Sequence, residues 1–319
     1  MLSSLIALAR AIQISRTANV YFAGWITIGM LSIVVYIFAG THGLTFHLPE
    51  YSILVVAGLI SLCLLFFGLF GLRSRVGVML AYLALWMATR PVGLAFTYLL
   101  ASLDLPLVDS ALDSFDRALG FDWLSWYNFV NESAGVKAIL VGTYASLSLQ
   151  IVFSIVYFSH REEGRSNNEL WWAGTIALVL TTIVSGIFPA AGTFEHYGVT
   201  GGIRGVHLHD LYALRNGAVT SFSVDEMIGI ITLPSYHTVM AILLTYIYRN
   251  QRRMFRIVLP LNVVQLIAIP SEGGHYISDV LAGGAVAIIA IWIVQRTRLG
   301  THQGVQPVSS WRPRAATGS

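Results

Sequence analysis

Eight long apolar runs dominate this chain and restrict its fold. They lie near residues 18–40, 52–71, 77–100, 137–158, 170–190, 233–249, 257–271 and 276–295. A helix needs about 20 apolar residues to cross a bilayer. Inside hydrocarbon a lone segment satisfies its backbone groups only as a helix. The pattern therefore predicts an all-α, polytopic membrane helical bundle of about eight spans. Only 11% of the 319 residues are charged, against roughly a quarter in a soluble domain, and mean hydropathy is +0.69. The net charge of +3 comes from basic clusters flanking apolar runs, which argues for a membrane protein without a nucleic-acid partner. Cys63 is alone, so no intramolecular disulfide forms. Arg10 and Arg16 interrupt the first apolar stretch, so no cleavable signal peptide is expected.

An even number of spans places both termini on one side. Fourteen of the 19 Lys and Arg residues fall there, among them Arg75, Arg161, Arg165, Arg249 and Arg296. Glu162, Glu163 and Glu169 are the acidic residues that join them. The positive-inside rule then makes both termini cytoplasmic. Residues 1–17 read as a short helix lying on the membrane surface. Val108, Leu112, Phe115 and Leu119 form an apolar face opposite Asp109, Asp113 and Asp116. Trp123, Trp126, Tyr127 and Val130 follow at helical spacing. Both stretches read as interfacial helices covering an outer loop, the second carrying an aromatic belt. The long polar loop over 191–232 reads as a lid beside a site.

Two polar segments stand where apolar runs begin on the outer side: Pro234-Ser235-Tyr236-His237 and Ser271-Glu272-Gly273-Gly274-His275-Tyr276-Ile277-Ser278-Asp279. Ionisable residues at such places are functional candidates. His275 and Asp279 are four apart, one helical turn, so the carboxylate can hold one imidazole nitrogen and leave the other free. Helix N-termini suit a phosphate. Ser235 is then an N-cap or phosphate donor, and Gly274 lets backbone approach closely. This set suits phosphoryl transfer, with His275 as nucleophile and a protonated His237 as general acid, giving a bell-shaped pH profile. It calls for no cofactor and no metal if arginines balance the charge. The bland alternative is a buried His–Asp pair that pins two helices. Tyr144 and Gln150 read as hydrogen-bonded ties between helices.

These two segments resemble the second and third motifs of the type-2 phosphatidic acid phosphatase superfamily, P-S-G-H and S-R-x-x-x-x-x-H-x-x-x-D. Leu281-Ala282-Gly283-Gly284 also suits the helix after the third motif. The resemblance implies a helical core with an extracytoplasmic site and the same roles for His275, His237 and Asp279. Tyr236 replaces the motif glycine, as in the branch holding inositol phosphorylceramide synthases and related bacterial membrane proteins. Ala268-Ile269 stand where the Ser-Arg pair belongs, and the first motif is matched only by Arg90-Pro91, with Leu83 in place of its lysine. Other arginines must then bind phosphate: Arg215 first, Arg204 second, Arg90 third. The chain divides into N-terminal spans with interfacial helices (1–136), a phosphatase-like catalytic core (137–299) and a disordered cytoplasmic tail (300–319).

The resulting expectation is a lipid phosphatase or phosphotransferase of the bacterial inner membrane, with its site on the periplasmic face. Its substrate is a phospholipid or lipid phosphate, hydrolysed through a phosphohistidine. The alternatives are transfer of a phospho-headgroup to an alcohol such as ceramide or another lipid, and a non-enzymatic lipid-binding or transport role.

Overall fold

The computed structural model describes residues 2–71, 74–161, 163–199, 206–297 and 299, with side chains from Tyr21 onward except that of Val206. Among them are thirteen helices and two short strands. In chain order these are α1 (Leu2–Thr41), β1 (Thr45–His47), α2 (Glu50–Phe70), α3 (Arg75–Ala101), α4 (Asp109–Ala118) and α5 (Trp123–Glu132). Then come α6 (Ala134–Ala145), α7 (Leu147–His160), α8 (Gly164–Ile187), α9 (Thr193–His196) and α10 (Val206–Arg215). The last are β2 (Ser221–Ser223), α11 (Tyr236–Ile247), α12 (Arg252–Gly273) and α13 (Ile277–Thr297).

Six helices, namely α1, α2, α3, α8, α12 and α13, are long and apolar enough to cross a membrane, and α6 with α7 makes a seventh if counted as one span bent by 48°. The bend falls at Ser146, whose hydroxyl donates to the Thr143 carbonyl at 2.6 Å and accepts from Gln150 at 3.0 Å. Polar groups inserted into the helical ladder are a usual cause of such kinks. The sixth expected span differs most from its prediction. Its helix, α11, has 12 residues, about 18 Å at 1.5 Å per residue, and is too short to cross alone. Pro234-Ser235 delays its start, and its far end is pinned by charge. There Arg249 donates to Glu169 at 2.8 Å, and Arg165 donates to the same carboxylate at 2.8 Å. The expected surface helix over 1–17 is instead continuous with the first span in α1.

Helix ends alternate between the two ends of the bundle. The pairs of Glu169 and a bond from Gln251 to Glu163 (2.7 Å) join α7–α8 to α11–α12 at one end. At the other, Val108 N–H donates to the Pro189 carbonyl at 2.9 Å. There too β1 pairs in parallel with β2, Phe46 opposite Phe222. This strand pair is the one small departure from an all-α chain among the described residues.

The largest core cluster joins α3, α7, α8, α11 and α13, with Tyr82, Leu85, Trp171, Leu243, Ala287 and Ala290 all buried. Gly283 marks a close crossing of two backbones: a Cβ there would lie 2.5 Å from the Ser235 carbonyl oxygen. The backbone of α13 is thus held against the first turn of α11. Leu54, Leu64 and Leu69 of α2 are exposed, as suits a lipid-facing helix.

Candidate active site

At the strand end of the bundle, α12 stops and α13 starts within four residues. Gly274 caps α12 in the left-handed conformation, φ +67°. Its carbonyl accepts from Thr193 N–H at 2.9 Å, and a Cβ there would strike the Phe194 ring at 2.5 Å. One close approach that this glycine permits is to Phe194. His275 follows in the tight connection and is 4% exposed. Its Nδ1 lies 3.2 Å from Asp279 Oδ2, which also accepts from Tyr276 N–H at 2.9 Å. Asp279 is fully buried. An acceptor at Nδ1 places the proton there and leaves Nε2 with its lone pair.

That second nitrogen faces Ser235 Oγ at 3.5 Å. Ser235 is the N-cap of α11, its hydroxyl accepting from Thr238 N–H at 3.4 Å. Its own N–H donates to the Asp279 carbonyl at 3.1 Å, tying the two helix starts together. In the first turn of α11, His237 stacks on Tyr144 of α6, centroids 4.4 Å apart, with Tyr144 Oη 3.4 Å from Nδ1. His237 and His275 are close enough to interact electrostatically. Burial holds the His275 imidazole below its ordinary range, at about 4, and a backbone hydrogen bond with Thr232 offsets this only in part.

The first outer helix, α4, turns its carboxylate face inward. Phe115 and Leu119 are exposed, while Asp109 and Asp116 are buried against the site. Asp116 accepts from Ile277 N–H at 2.6 Å and from Ser278 N–H at 2.9 Å. The anion at the start of α13 is thus the protein's own carboxylate, where the sequence suggested phosphate. Asp109 accepts from Ala191 N–H (2.9 Å), Gly192 N–H (2.8 Å) and the Tyr276 hydroxyl (3.0 Å). In α5 the expected aromatic belt is largely internal: Trp123 and Tyr127 pack on Phe194, and the Trp123 indole donates to the Pro270 carbonyl at 2.8 Å. The exposed apolar face of α4 suits lipid, while its carboxylates meet the N–H groups of α13 and of the 191–192 turn.

Replacing Asp116 with alanine orphans two N–H groups next to the histidine segment. The expected loss is about 1–3 kcal/mol of stability with reduced turnover; Asp116→Asn, which keeps an acceptor, loses less of both. Thermal unfolding in detergent together with turnover tests this, and an Asp116→Ala protein unchanged in both sinks the anchoring role.

The expected phosphate-binding arginines are not gathered in the same way. Arg215 Nη2 pairs with Asp104 at 2.8 Å and donates to the Leu105 carbonyl at 2.8 Å, while its buried Nη1 has no partner. Arg90 is exposed and lines a different cavity, away from His237, Ser235, His275 and Asp279. Arg204 lies outside the described residues. Ala268 and Ile269, where the motif's Ser-Arg would stand, are fully buried in apolar surroundings. Among the described residues, no three His, Cys, Asp or Glu side chains are grouped to hold a metal. His207 faces the Ala191 carbonyl at 3.2 Å, while the exposed His209 pairs with Asp210 at 3.2 Å.

Residues 110–293, more than half of the chain, match the sequence profile of the PAP2 superfamily. The chain belongs to the PAP2 superfamily. PAP2 proteins are generally phosphatases and phosphotransferases. The matched region runs from α4 to α13, so it holds both histidines, Ser235, Asp279 and the Asp116 anchor but excludes α1–α3. No match was found among curated proteins or among solved structures. Within this PAP2 site Gln150 does join helices, donating to Gln265 at 3.0 Å. Tyr144 ties α6 to α11 as well, but its partner there is His237. Asp109, Asp116 and Tyr276 escaped sequence reasoning. Their one signal was the i, i+4, i+7 row of aspartates on a helix beside an uncapped helix start.

Proposed function

We propose that this protein is an integral membrane lipid phosphatase or phosphotransferase working through a phosphohistidine at His275. The observation that carries the reading is Nε2 of His275 facing Ser235 at the capped start of α11, with Asp279 held at Nδ1. Nε2 attacks phosphorus, the bond from phosphorus to the lipid oxygen breaks, and His237 gives that oxygen its proton. Water or an alcohol then attacks phosphorus, its proton passes to His237, and the phosphorus–nitrogen bond breaks to restore neutral His275. Ser235 Oγ and the first N–H groups of α11 hold the phosphoryl oxygens. The spare Nη1 of Arg215 supports that residue as a cation for the same group, with Arg204 the next choice. The clustering of Arg161, Arg165 and Arg249 at the far end of the bundle supports a cytoplasmic far end and a site on the extracytoplasmic face, the periplasmic side of a bacterial inner membrane.

Transfer to an alcohol, as in the inositol phosphorylceramide synthase branch, is the second reading. It is favoured by burial of His275, Asp279 and Ser235, because a site shielded from bulk water protects the phosphoenzyme from hydrolysis. Purified protein given a panel of lipid phosphates and phospholipids, with free phosphate and labelled lipid products both followed, tests the proposal. Free phosphate establishes hydrolysis; a new phospholipid without free phosphate establishes transfer; no turnover of any substrate overturns both. Activity lost to EDTA and restored by zinc overturns the metal-free mechanism.

The attacking form of His275 is neutral, which fixes the acid side of the pH profile. Burial lowers His275 from 6.5 to about 4 and His237 to about 3. The acid limb of kcat/KM therefore lies near pH 4, not near 6.5, and His237 becomes a proton donor only when the negative charge of the bound lipid phosphate raises it. Stability carries the same sign. The unfolded chain takes up the proton first, so stability present above about 6.5 is lost as pH falls toward 4. A pH series of kcat/KM and of unfolding midpoints checks both, and an acid limb at the ordinary histidine position refutes the assignment.

A further inference from the structure

The helices α1 and α2, outside the superfamily region, both pack on α3, and between them lies a cleft of about 1250 Å³, open on one side. Small-molecule sites occupy roughly 300–1,000 Å³, so this one has room for something larger. Most of its wall is aliphatic, including Val35, Ile53, Val56, Ile60 and Val92. The polar groups are concentrated toward the strand end: His47, Tyr51 and Asp225 also line it, together with Arg90 from within α3. Tyr51 lies close enough to Asp225 and Arg90 to interact with both. Among the described residues no carboxylate is hydrogen-bonded to the exposed Arg90 guanidinium. An arginine inside a membrane helix without such a partner is costly and marks a functional site by default. Pro91 follows it in the same wall and has no N–H, so the Met87 carbonyl, also on the cavity, lacks its helical donor.

We propose that this cavity is a second lipid site, separate from the histidine pair, and that its occupant is a membrane phospholipid. The phosphate meets Arg90, headgroup donors meet Asp225, and the acyl chains lie along α1 and α2. A long apolar wall ending in one cation and one carboxylate matches a phosphate-bearing amphiphile better than an uncharged one, because only the phosphate neutralises Arg90.

Photo-crosslinking tests the assignment on the full chain in nanodiscs, using a diazirine phosphatidylglycerol and a diazirine diacylglycerol with the same chains. Phosphatidylglycerol is expected to label peptides of α1–α3 at least about tenfold more than diacylglycerol, the scale of one lost charge-assisted contact. Arg90→Gln removes that preference. Ala57→Trp, an exposed cavity-lining position on α2 where an indole fills the space without entering the core, removes labelling by both probes. Ala57→Leu gives a smaller loss and serves if the tryptophan variant misfolds. The labelling persists in His275→Ala, which separates this site from the histidine pair whatever the turnover assay gives. Equal labelling by the two probes, labels mapping outside α1–α3, indifference to both Arg90→Gln and the Ala57 variants, or loss in His275→Ala each overturns the proposal.

Discussion

Replacing His275 with alanine is expected to lower turnover of any accepted lipid phosphate by about 10⁴-fold or more, the scale on which enzymes lose activity with their nucleophile. The expectation rests on geometry. Asp279 occupies Nδ1, so Nε2 is the nitrogen left to attack, and it faces Ser235 at the start of α11. No other described nucleophile has that combination of a buried orienting carboxylate and a helix start in front of it. Alanine also leaves the Asp279 carboxylate buried with one partner fewer, so some stability is lost. His275→Gln keeps more of the volume and is measured beside it. Activity within about tenfold of the native protein in either folded variant would remove His275 from the chemistry.

Asp279→Asn is expected to cost on the order of 10³–10⁴-fold, the scale seen when the carboxylate orienting a catalytic histidine becomes an amide. Asp279 Oδ2 accepts from both His275 and Tyr276 N–H, and Oδ1 is buried without a hydrogen-bond partner. An amide nitrogen placed at Oδ2 opposes the Tyr276 N–H and asks Nδ1 to accept, which moves the proton to Nε2 and blocks attack. The flipped amide preserves the tautomer but buries an NH₂ without an acceptor and removes the charge that balances a phosphoimidazolium. Either way kcat falls while KM changes little, because lipid binding does not use this carboxylate. A fall confined to KM, or a loss explained by unfolding at the assay temperature, would make Asp279 a structural residue only.

Much of this was legible in the chain itself. The apolar runs correctly located the main helices, because hydrocarbon admits few ways to satisfy a backbone. The pairing of His275 with Asp279 was legible because it spans one turn, and so was the N-cap at Ser235. The length of α11 was not. Its hydropathy resembles a span, but where the helix starts depends on the packing of Gly283 against Ser235, a contact between positions 48 residues apart.

The direction in which α4 faces was also undetermined by pattern. An amphipathic helix reads identically whether its acidic face meets water or the N–H groups of another helix. Tertiary structure decided for the second, since α13 begins at Ile277 with N–H groups that its own first residues cannot satisfy, and Asp116 reaches them. The arginines divide on the same ground. Sequence marked Arg90 and Arg215 as cations near the right end of the bundle. Only packing could place one beside Asp104 and the other in a cavity with Tyr51 and Asp225, because a long side chain's partner depends on its three-dimensional neighbours, which local spacing does not encode.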